Sequence, residues 1–198
     1  MRNIPLTPKN AGGLCIGESS LQPADIIVAT TSATSSAFIR YATFSAVSHA
    51  LLYAGSGQVV EAISEGVVER SLKDCIADDI RAVAYRHPQM TPAAGEKIIR
   101  FAEKQVGKEY DYAGAAGAGI ENNLGVCLVV FGIIGCPAAR AVQWSNRDKF
   151  FCSELVLAAY AEAGLKIVDT RPDQTVPDAL VTAQSHGRLQ YVGHLITG

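Results

Sequence analysis

A cysteine at the start of an amphipathic helix constrains the fold of this chain more than any other feature. The apolar residues after it recur at i+3, i+4, i+7, i+8 and i+11 and form one continuous face, which consists of Cys152, Leu155, Val156, Ala159, Tyr160 and Ala163. Gly164 then supplies a C-terminal stop. The spacing therefore predicts a helix that begins at Cys152 and turns its apolar face toward the core.

This position favours a reactive thiol. The N-terminus of a helix carries unpaired backbone N–H groups and the positive end of the macrodipole, and both stabilise a thiolate. The thiolate is the nucleophilic form of cysteine. The alternative is a buried cysteine that packs as a small apolar side chain. A base near Cys152 would favour the reactive thiol over the buried, packed cysteine.

The candidate base is His49, in an apolar and β-branched segment, residues 46–53, that predicts a strand. A second strand over residues 58–63 carries Glu61. If residues 54–56 form a three-residue loop, His49 lies directly opposite Glu61 on one face of the hairpin. One further loop residue would move Glu61 to the other face, and two would make it a diagonal neighbour. Taken singly, His49 could be a hydrogen-bonded core histidine and Glu61 a solvated edge charge.

Five short segments follow one another in a specific order: Ala24-Asp25, Ser48-His49, Glu61-Ala62, Gly107-Lys108-Glu109-Tyr110-Asp111 and Cys152-Ser153-Glu154-Leu155. Together they resemble the permuted papain-like amidases related to NlpC-type cell-wall peptidases, the YaeF/YiiX-like group. In this group the histidine strand precedes the cysteine helix, whereas papain has the opposite order. The resemblance covers about residues 23–164. Ala24 departs from it, since the family usually has glycine there.

The resemblance implies an α+β fold that is papain-like and circularly permuted, with a helical lobe packed on an antiparallel sheet. The composition gives no sign of a second domain, so one catalytic domain over residues 1–198 is expected. Further expected elements are strands over 25–29, 67–72, 80–85 and 188–196, the last at a sheet edge, and helices over 37–43 and 92–106. Residues 171–184 are expected to form a surface loop.

The resemblance also implies the chemistry. Cys152 would be the nucleophile, His49 the general base and acid, and Glu61 the residue that orients the imidazole. Attack on an amide carbonyl would give a thioester, which water then hydrolyses. The backbone N–H of Cys152 and the hydroxyl of either Tyr53 or Tyr110 are candidates for the oxyanion donors. This chemistry needs neither a cofactor nor a metal ion.

Three functions from different classes remain open on these grounds. The first is a cysteine peptidase or amidase, with peptidoglycan stem peptides as the expected substrate by analogy. The second is a lipid-directed acyltransferase or thioesterase, because the lecithin:retinol acyltransferase group shares the permuted order but usually has histidine where Glu61 stands. The third is a non-catalytic binding module.

Charge and cysteine spacing exclude other classes. With a net charge of −2 and scattered lysines and arginines, the chain has no electrostatic basis for nucleic-acid binding. The five cysteines include no C-x-x-C pair, and no histidine has metal-ligand spacing, so no zinc site is expected. The remaining cysteines are expected to be free thiols, with a Cys127–Cys136 disulfide as an alternative. His87, His186 and His194 rank behind His49 as bases.

Residues 114–137 form an apolar insertion between the Tyr110-Asp111 segment and the cysteine helix. Its core is too short and too rich in glycine to span a bilayer, so no transmembrane segment is expected. The two interpretations are a buried helix or hairpin and a cap over the active-site cleft.

The first nine residues lack the apolar stretch of a secretory signal, which predicts a cytoplasmic protein in the producing cell. If the substrate is cell wall, export without a cleaved signal is required. A contact-dependent secretion system that delivers an antibacterial effector is one such route, and it would imply a secretion or immunity partner.

Overall fold

A sheet of seven strands forms the centre of the part of the molecule that the computed structural model describes, residues 13–31, 47–77, 79–111, 114–115 and 148–195. Its strands are β1 (Cys15–Ile16), β2 (Ile26–Thr31), β3 (His49–Gly55), β4 (Gln58–Ile63), β5 (Gly66–Ser71), β6 (Asp79–Arg86) and β9 (Gln190–Leu195). They lie in the spatial order β1-β9-β6-β2-β3-β4-β5. A separate two-stranded parallel pair consists of β7 (Glu109–Tyr110) and β8 (Lys149–Phe150).

The helices of the described residues are α1 (Leu72–Ile76), α2 (Pro92–Glu103), α3 (Cys152–Glu162) and α4 (Asp178–Ser185), with short 3-10 helices at Glu18–Ser20 and Pro172–Gln174. The predicted start of α2 is confirmed, because the Thr91 hydroxyl accepts the backbone N–H of Ala94 and Pro92 occupies the first helical position. None of these helices is long and apolar enough to cross a bilayer.

The α+β class and the largely antiparallel sheet are confirmed. Every neighbouring pair in the seven-stranded sheet is antiparallel except β1 and β9, which run parallel. The predicted edge position of the last strand is wrong: β9 lies between β1 and β6, because Cys15 and Ile16 pair with His194 and Leu195. This pairing joins the two ends of the chain, which local sequence patterns do not encode.

Residues 171–184 are not the predicted loop, since they contain a 3-10 turn followed by α4. Leu180 and Ala183 of α4 are buried in the main core. The apolar face of α4 is narrow, and Pro172 and Pro177 interrupt the segment before it. Burial of those two side chains stabilises a helix that the local sequence favours only weakly.

The sheet has one apolar layer on each face. On one face Ile26, Val28, Ala50, Leu52 and Val60 pack in one cluster with Leu155, Val156, Ala159 and Tyr160 of α3, as the helical spacing predicted. Each large aliphatic side chain buried there contributes about 1.5–3 kcal/mol. On the other face, Ile27, Leu51 and Val59 lie in a second cluster with Leu72 and Ile76 of α1.

The hairpin of β3 and β4 has a tighter turn than the sequence suggested. Gly55 pairs with Gln58 across a two-residue turn, and both turn residues, Ser56 and Gly57, have positive φ of 50° and 73°. The register shifts between Tyr53 and Gly55, so Glu61 pairs with Leu51. The predicted direct pairing of His49 with Glu61 is therefore wrong, and the two residues are diagonal neighbours on the same face.

Three expectations concern residues outside the described ranges. They are the helix over 37–43, the 114–137 insertion apart from residues 114–115, and the alternative Cys127–Cys136 disulfide. Within the described part, Ala24 has φ 71°, a left-handed conformation that glycine adopts without steric cost. Glycine at this position would adopt the same conformation without that cost.

Candidate active site

The structure brings Cys152, His49 and Glu61 together. Cys152 is the first residue of α3, His49 the first residue of β3, and Glu61 lies in the middle of β4. Nε2 of His49 is hydrogen-bonded to Oε2 of Glu61, and the Cys152 side chain is close enough to interact with the imidazole. All three are withdrawn from solvent: the exposed fraction is 3% for Cys152, 17% for the His49 side chain and 0% for Glu61.

The electrostatics of this group favour a charged imidazole. Burial alone would lower the pKa of His49, but hydrogen bonds and charges from Cys152 and Glu61 outweigh it and raise the pKa to about 10. Burial alone would raise the pKa of Glu61, but His49 and Arg70 lower it to about 2. Around neutral pH, a carboxylate therefore faces an imidazolium, and the Cys152 side chain interacts with the same imidazole.

The local sequence explains why α3 begins at Cys152. Phe151 is the N-cap in extended conformation, with φ −103° and ψ 169°, and its backbone N–H donates to Oε2 of Glu154 over 3.4 Å. The Ser153 hydroxyl donates to the backbone carbonyl of Thr175 over 2.6 Å, in a fully buried contact. These contacts anchor the first turn of α3 and hold Cys152 against the end of β3.

Glu154 is a neighbour of the site that the sequence did not single out. Burial raises its pKa to about 8; the Phe151 N–H acts in the opposite direction, and the nearby Asp111 and Asp173 carboxylates add to the rise. All three carboxyl groups are buried, with at most 9% exposure. Glu154 is therefore largely neutral at pH 7, and it lies two residues after Cys152 in the first turn of α3.

We expect Glu154→Gln to alter how stability depends on pH. A carboxyl whose pKa is raised on folding contributes stability that is fully present below the unfolded value of 4.5 and is lost as the pH rises through about 8. Glutamine resembles the neutral acid, so the variant should lose much less stability between pH 5 and pH 9. Urea unfolding across this range measures the difference, with the exposed Glu103→Gln as control. A parent-like decline in the variant would contradict this assignment.

The two oxyanion candidates lie in different places. The Tyr53 hydroxyl lies at the β3–β4 turn, where it bonds to Oε1 of Glu18 and accepts the Gly57 N–H, both at 3.1 Å. This turn is at the opposite end of β3 from His49. Tyr110 of β7 is paired with Phe150 of β8 and packs against Phe151, next to the cysteine. Of the two tyrosines, Tyr110 is thus the one beside the start of α3.

Two further residues, which the sequence analysis missed, contact Glu61. Nε of Arg70 donates to Oε1 of Glu61, and Sγ of Cys75 lies 3.6 Å and 3.5 Å from the two carboxylate oxygens. Arg70 could have been found, because the two-residue turn between Ile63 and Gly66 fixes the β4–β5 register and makes Arg70 a diagonal neighbour of Glu61. Cys75 comes from α1, and no local spacing predicts its contact.

Other parts of the described structure do not extend this site. The described residues contain no group of three or more His, Cys, Asp or Glu placed to hold a metal ion. A surface cavity of about 700 Å³ lies between α2 and the residues that precede β2, and none of the three predicted catalytic residues lines it. His87 packs near Tyr160, and His194 bonds to Tyr191, so both are engaged elsewhere.

Comparisons with known proteins point to one family. A family model described as "Permuted papain-like amidase enzyme, YaeF/YiiX, C92 family" matches residues 20–115, which include His49 and Glu61. The chain is 27% identical over 202 residues to the "Probable lipoprotein peptidase YaeF" of Escherichia coli K12, covering 90% of this chain and 72% of that protein.

A solved structure supports the same fold. The crystal structure of the metalloprotein YiiX from Escherichia coli O157:H7 superposes with a TM-score of 0.62 at 21% identity, covering 87% of this chain and 96% of that one. The fold, the family match and the aligned relative agree with the order of segments in the sequence. The chain is therefore similar to the permuted papain-like amidases of the YaeF/YiiX family, and this similarity supports a cysteine peptidase or amidase.

Proposed function

We propose that this enzyme cleaves an amide bond through a thioester intermediate, with Cys152 as the nucleophile, His49 as the general base and acid, and Glu61 as the residue that orients His49. The observation that carries the proposal is the place of His49 between the Cys152 thiol and the buried Glu61 carboxylate. An imidazole held by a carboxylate and in contact with a thiol is the arrangement that nucleophilic thiol catalysis requires.

The geometry supports distinct tasks for the two imidazole nitrogens. Nε2 is bonded to Glu61, so Nδ1 is the nitrogen available for proton exchange with Cys152. The thiolate attacks the amide carbonyl, and the imidazolium then protonates the leaving amine as the C–N bond breaks. The neutral imidazole next takes a proton from water, whose oxygen attacks the thioester and releases the acid and the thiol.

The oxyanion would be bound by the Cys152 backbone N–H and, we propose, by the Tyr110 hydroxyl. Tyr110→Phe should lower kcat about 10²- to 10³-fold, because one preorganised donor to the developing charge is lost. Tyr53→Phe is the matched control and should keep nearly parental kcat, since the Tyr53 hydroxyl is held by Glu18 and Gly57. Steady-state kinetics of the two variants measure the difference. Equal losses, or a loss in Tyr53→Phe alone, would contradict the assignment.

We further propose that the amide lies in peptidoglycan stem peptides. The support is the resemblance to NlpC-type cell-wall peptidases and the similarity to YaeF, which is described as a probable lipoprotein peptidase. The fold alone also fits acyl transfer to or from lipids, but Glu61 stands where the lecithin:retinol acyltransferase group usually has histidine.

Substrate screening separates these functions. Purified enzyme is incubated with muropeptides of defined stem length and, in parallel, with phospholipid and acyl-thioester substrates, and products are read by mass spectrometry. We expect a mass gain of one water and a split stem peptide, absent with Cys152→Ala. Fatty-acid release or acyl transfer without stem cleavage would favour the lipid enzyme. No turnover with either class, despite binding, would favour the binding module.

An action on the cell wall can also be tested in cells. Directed to the periplasm of a test bacterium, the enzyme should cause lysis, and the Cys152→Ala variant should not. Harmless expression of the active enzyme in the periplasm would contradict a role as a wall-degrading effector.

A further inference from the structure

The Glu61 carboxylate is held from three sides. His49 of β3, Arg70 of β5 and Cys75 of α1 all contact Glu61, which has no exposed surface. The Arg70 contact is to Oε1, whereas the His49 contact is to Oε2. Arg70 and His49 therefore each bind a different oxygen of the Glu61 carboxylate.

The sheet register places these partners on a diagonal. Glu61 pairs with Leu51 on one side and with Val68 on the other. His49 is two residues before Leu51 and Arg70 two residues after Val68, so both lie on the face of Glu61. The line from His49 through Glu61 to Arg70 thus crosses three adjacent strands and ends at a guanidinium that is 40% exposed.

The segment that follows Arg70 brings a third residue into contact with Glu61. Ser71 is the N-cap of α1, and its hydroxyl accepts the backbone N–H of Asp74. This cap turns the chain back over β4 and brings the buried Cys75 against both Glu61 oxygens. A carboxylate enclosed in this way needs a fixed cation to remain ionised and oriented.

We propose that Arg70 is a positioning residue of the active site: its bond to Oε1 fixes the Glu61 carboxylate so that Oε2 faces His49. The effect of Arg70 on catalysis rests on the proposed function, whereas its effect on the orientation and ionisation of Glu61 does not. Arg70 acts through Glu61 and is not itself one of the reacting groups. The contact of Arg70 with Glu61 accounts for part of the low carboxyl pKa.

The first test follows Glu61 directly and needs no substrate. In Arg70→Gln the cation is gone and burial remains, so the carboxyl-carbon NMR resonance of Glu61 should titrate at least about one pH unit higher than in the parent. Arg81→Gln removes the same charge from an exposed position on β6 and should leave the Glu61 titration unchanged. A parental titration in folded Arg70→Gln would overturn the proposal.

The second test follows turnover. Arg70→Lys keeps a positive charge but lacks the Nε donor, so we expect kcat to fall about tenfold with KM nearly unchanged. In Arg70→Gln the acid limb of the profile of kcat/KM against pH should also move to higher pH. An unaltered kcat in Arg70→Lys would overturn the positioning role, and this variant decides the matter if Arg70→Gln does not fold.

The proposed function and the role of Arg70 can fail separately. If the parent enzyme cleaves no amide, the proposed function fails, whereas the Glu61 titration still decides whether Arg70 holds the carboxylate. If the parent is active and Arg70→Gln titrates and turns over as the parent does, the proposed function stands and the role of Arg70 fails.

Discussion

Replacing Cys152 with alanine is expected to lower amide hydrolysis by at least about 10⁴-fold, because the sulfur that forms the acyl bond is missing. The fold should remain intact, since alanine fits the space of a small apolar side chain at the start of α3. Kinetics on the substrate found in the screen measure the loss, and circular dichroism with urea unfolding verifies the fold.

The controls for this substitution come from the chain itself. Cys15→Ala changes a partly buried thiol on β1, at the far edge of the sheet, and should keep parental activity. Residues that act as one unit show non-additive losses, so Cys152→Ala/His49→Ala should be no less active than Cys152→Ala alone. Residual activity of more than a few per cent in Cys152→Ala would contradict its assignment as the nucleophile.

Replacing Glu61 with glutamine should also have a large effect. Glutamine keeps the volume of the side chain but removes the charge that stabilises the imidazolium of His49. It also presents its amide to two donors, Nε2 of His49 and Nε of Arg70, although it has only one acceptor oxygen. We expect kcat/KM to fall about 100-fold or more, as a wrongly oriented or wrongly protonated imidazole would cause.

The same substitution should change acid stability. Because folding lowers the pKa of Glu61 from 4.5 to about 2, its contribution to the free energy of unfolding is present above pH 4.5 and is lost as the pH falls toward 2. The variant should lack this loss and be less stable at pH 7, by about 2 kcal/mol once the partial exposure of Arg70 is considered.

Urea unfolding between pH 2 and pH 7 tests this expectation. Glu69→Gln, an exposed change on β5, is the matched control and should follow the parent. Parental activity and a parental acid transition in Glu61→Gln would show that Glu61 is not the charge that orients His49.

Much of the site could be predicted from the sequence, because its signals are local. Helical spacing predicted both the start of α3 at Cys152 and its buried face. A three-residue loop over residues 54–56 was the condition under which His49 and Glu61 were predicted to share a face. The exact pairing was missed because the turn type sets the register: Ser56 and Gly57 both adopt positive φ, and this forms a two-residue turn instead of the expected loop.

The remaining differences arise from contacts between distant parts of the chain. The partner of β9 is β1, at the other end of the sequence, and α4 forms because Leu180 and Ala183 reach the main core. Burial is the main cause of the raised pKa of Glu154, and Asp111 and Asp173, which lie on separate segments, add to the rise. The periodicity of residues within one helix or strand does not predict contacts between distant parts of the chain.

The pairing of Cys152 with His49 is best tested by alkylation of each cysteine with iodoacetamide as a function of pH, in the parent and in His49→Ala, with sites read by peptide mass spectrometry. We expect Cys152 to be labelled selectively near about pH 6.5, where ordinary thiols with a pKa of about 8.5 are almost fully protonated, and His49→Ala to lose this labelling. If Cys152 stays inert in the parent, or reacts equally without His49, the assignment of these two residues as the catalytic pair is wrong.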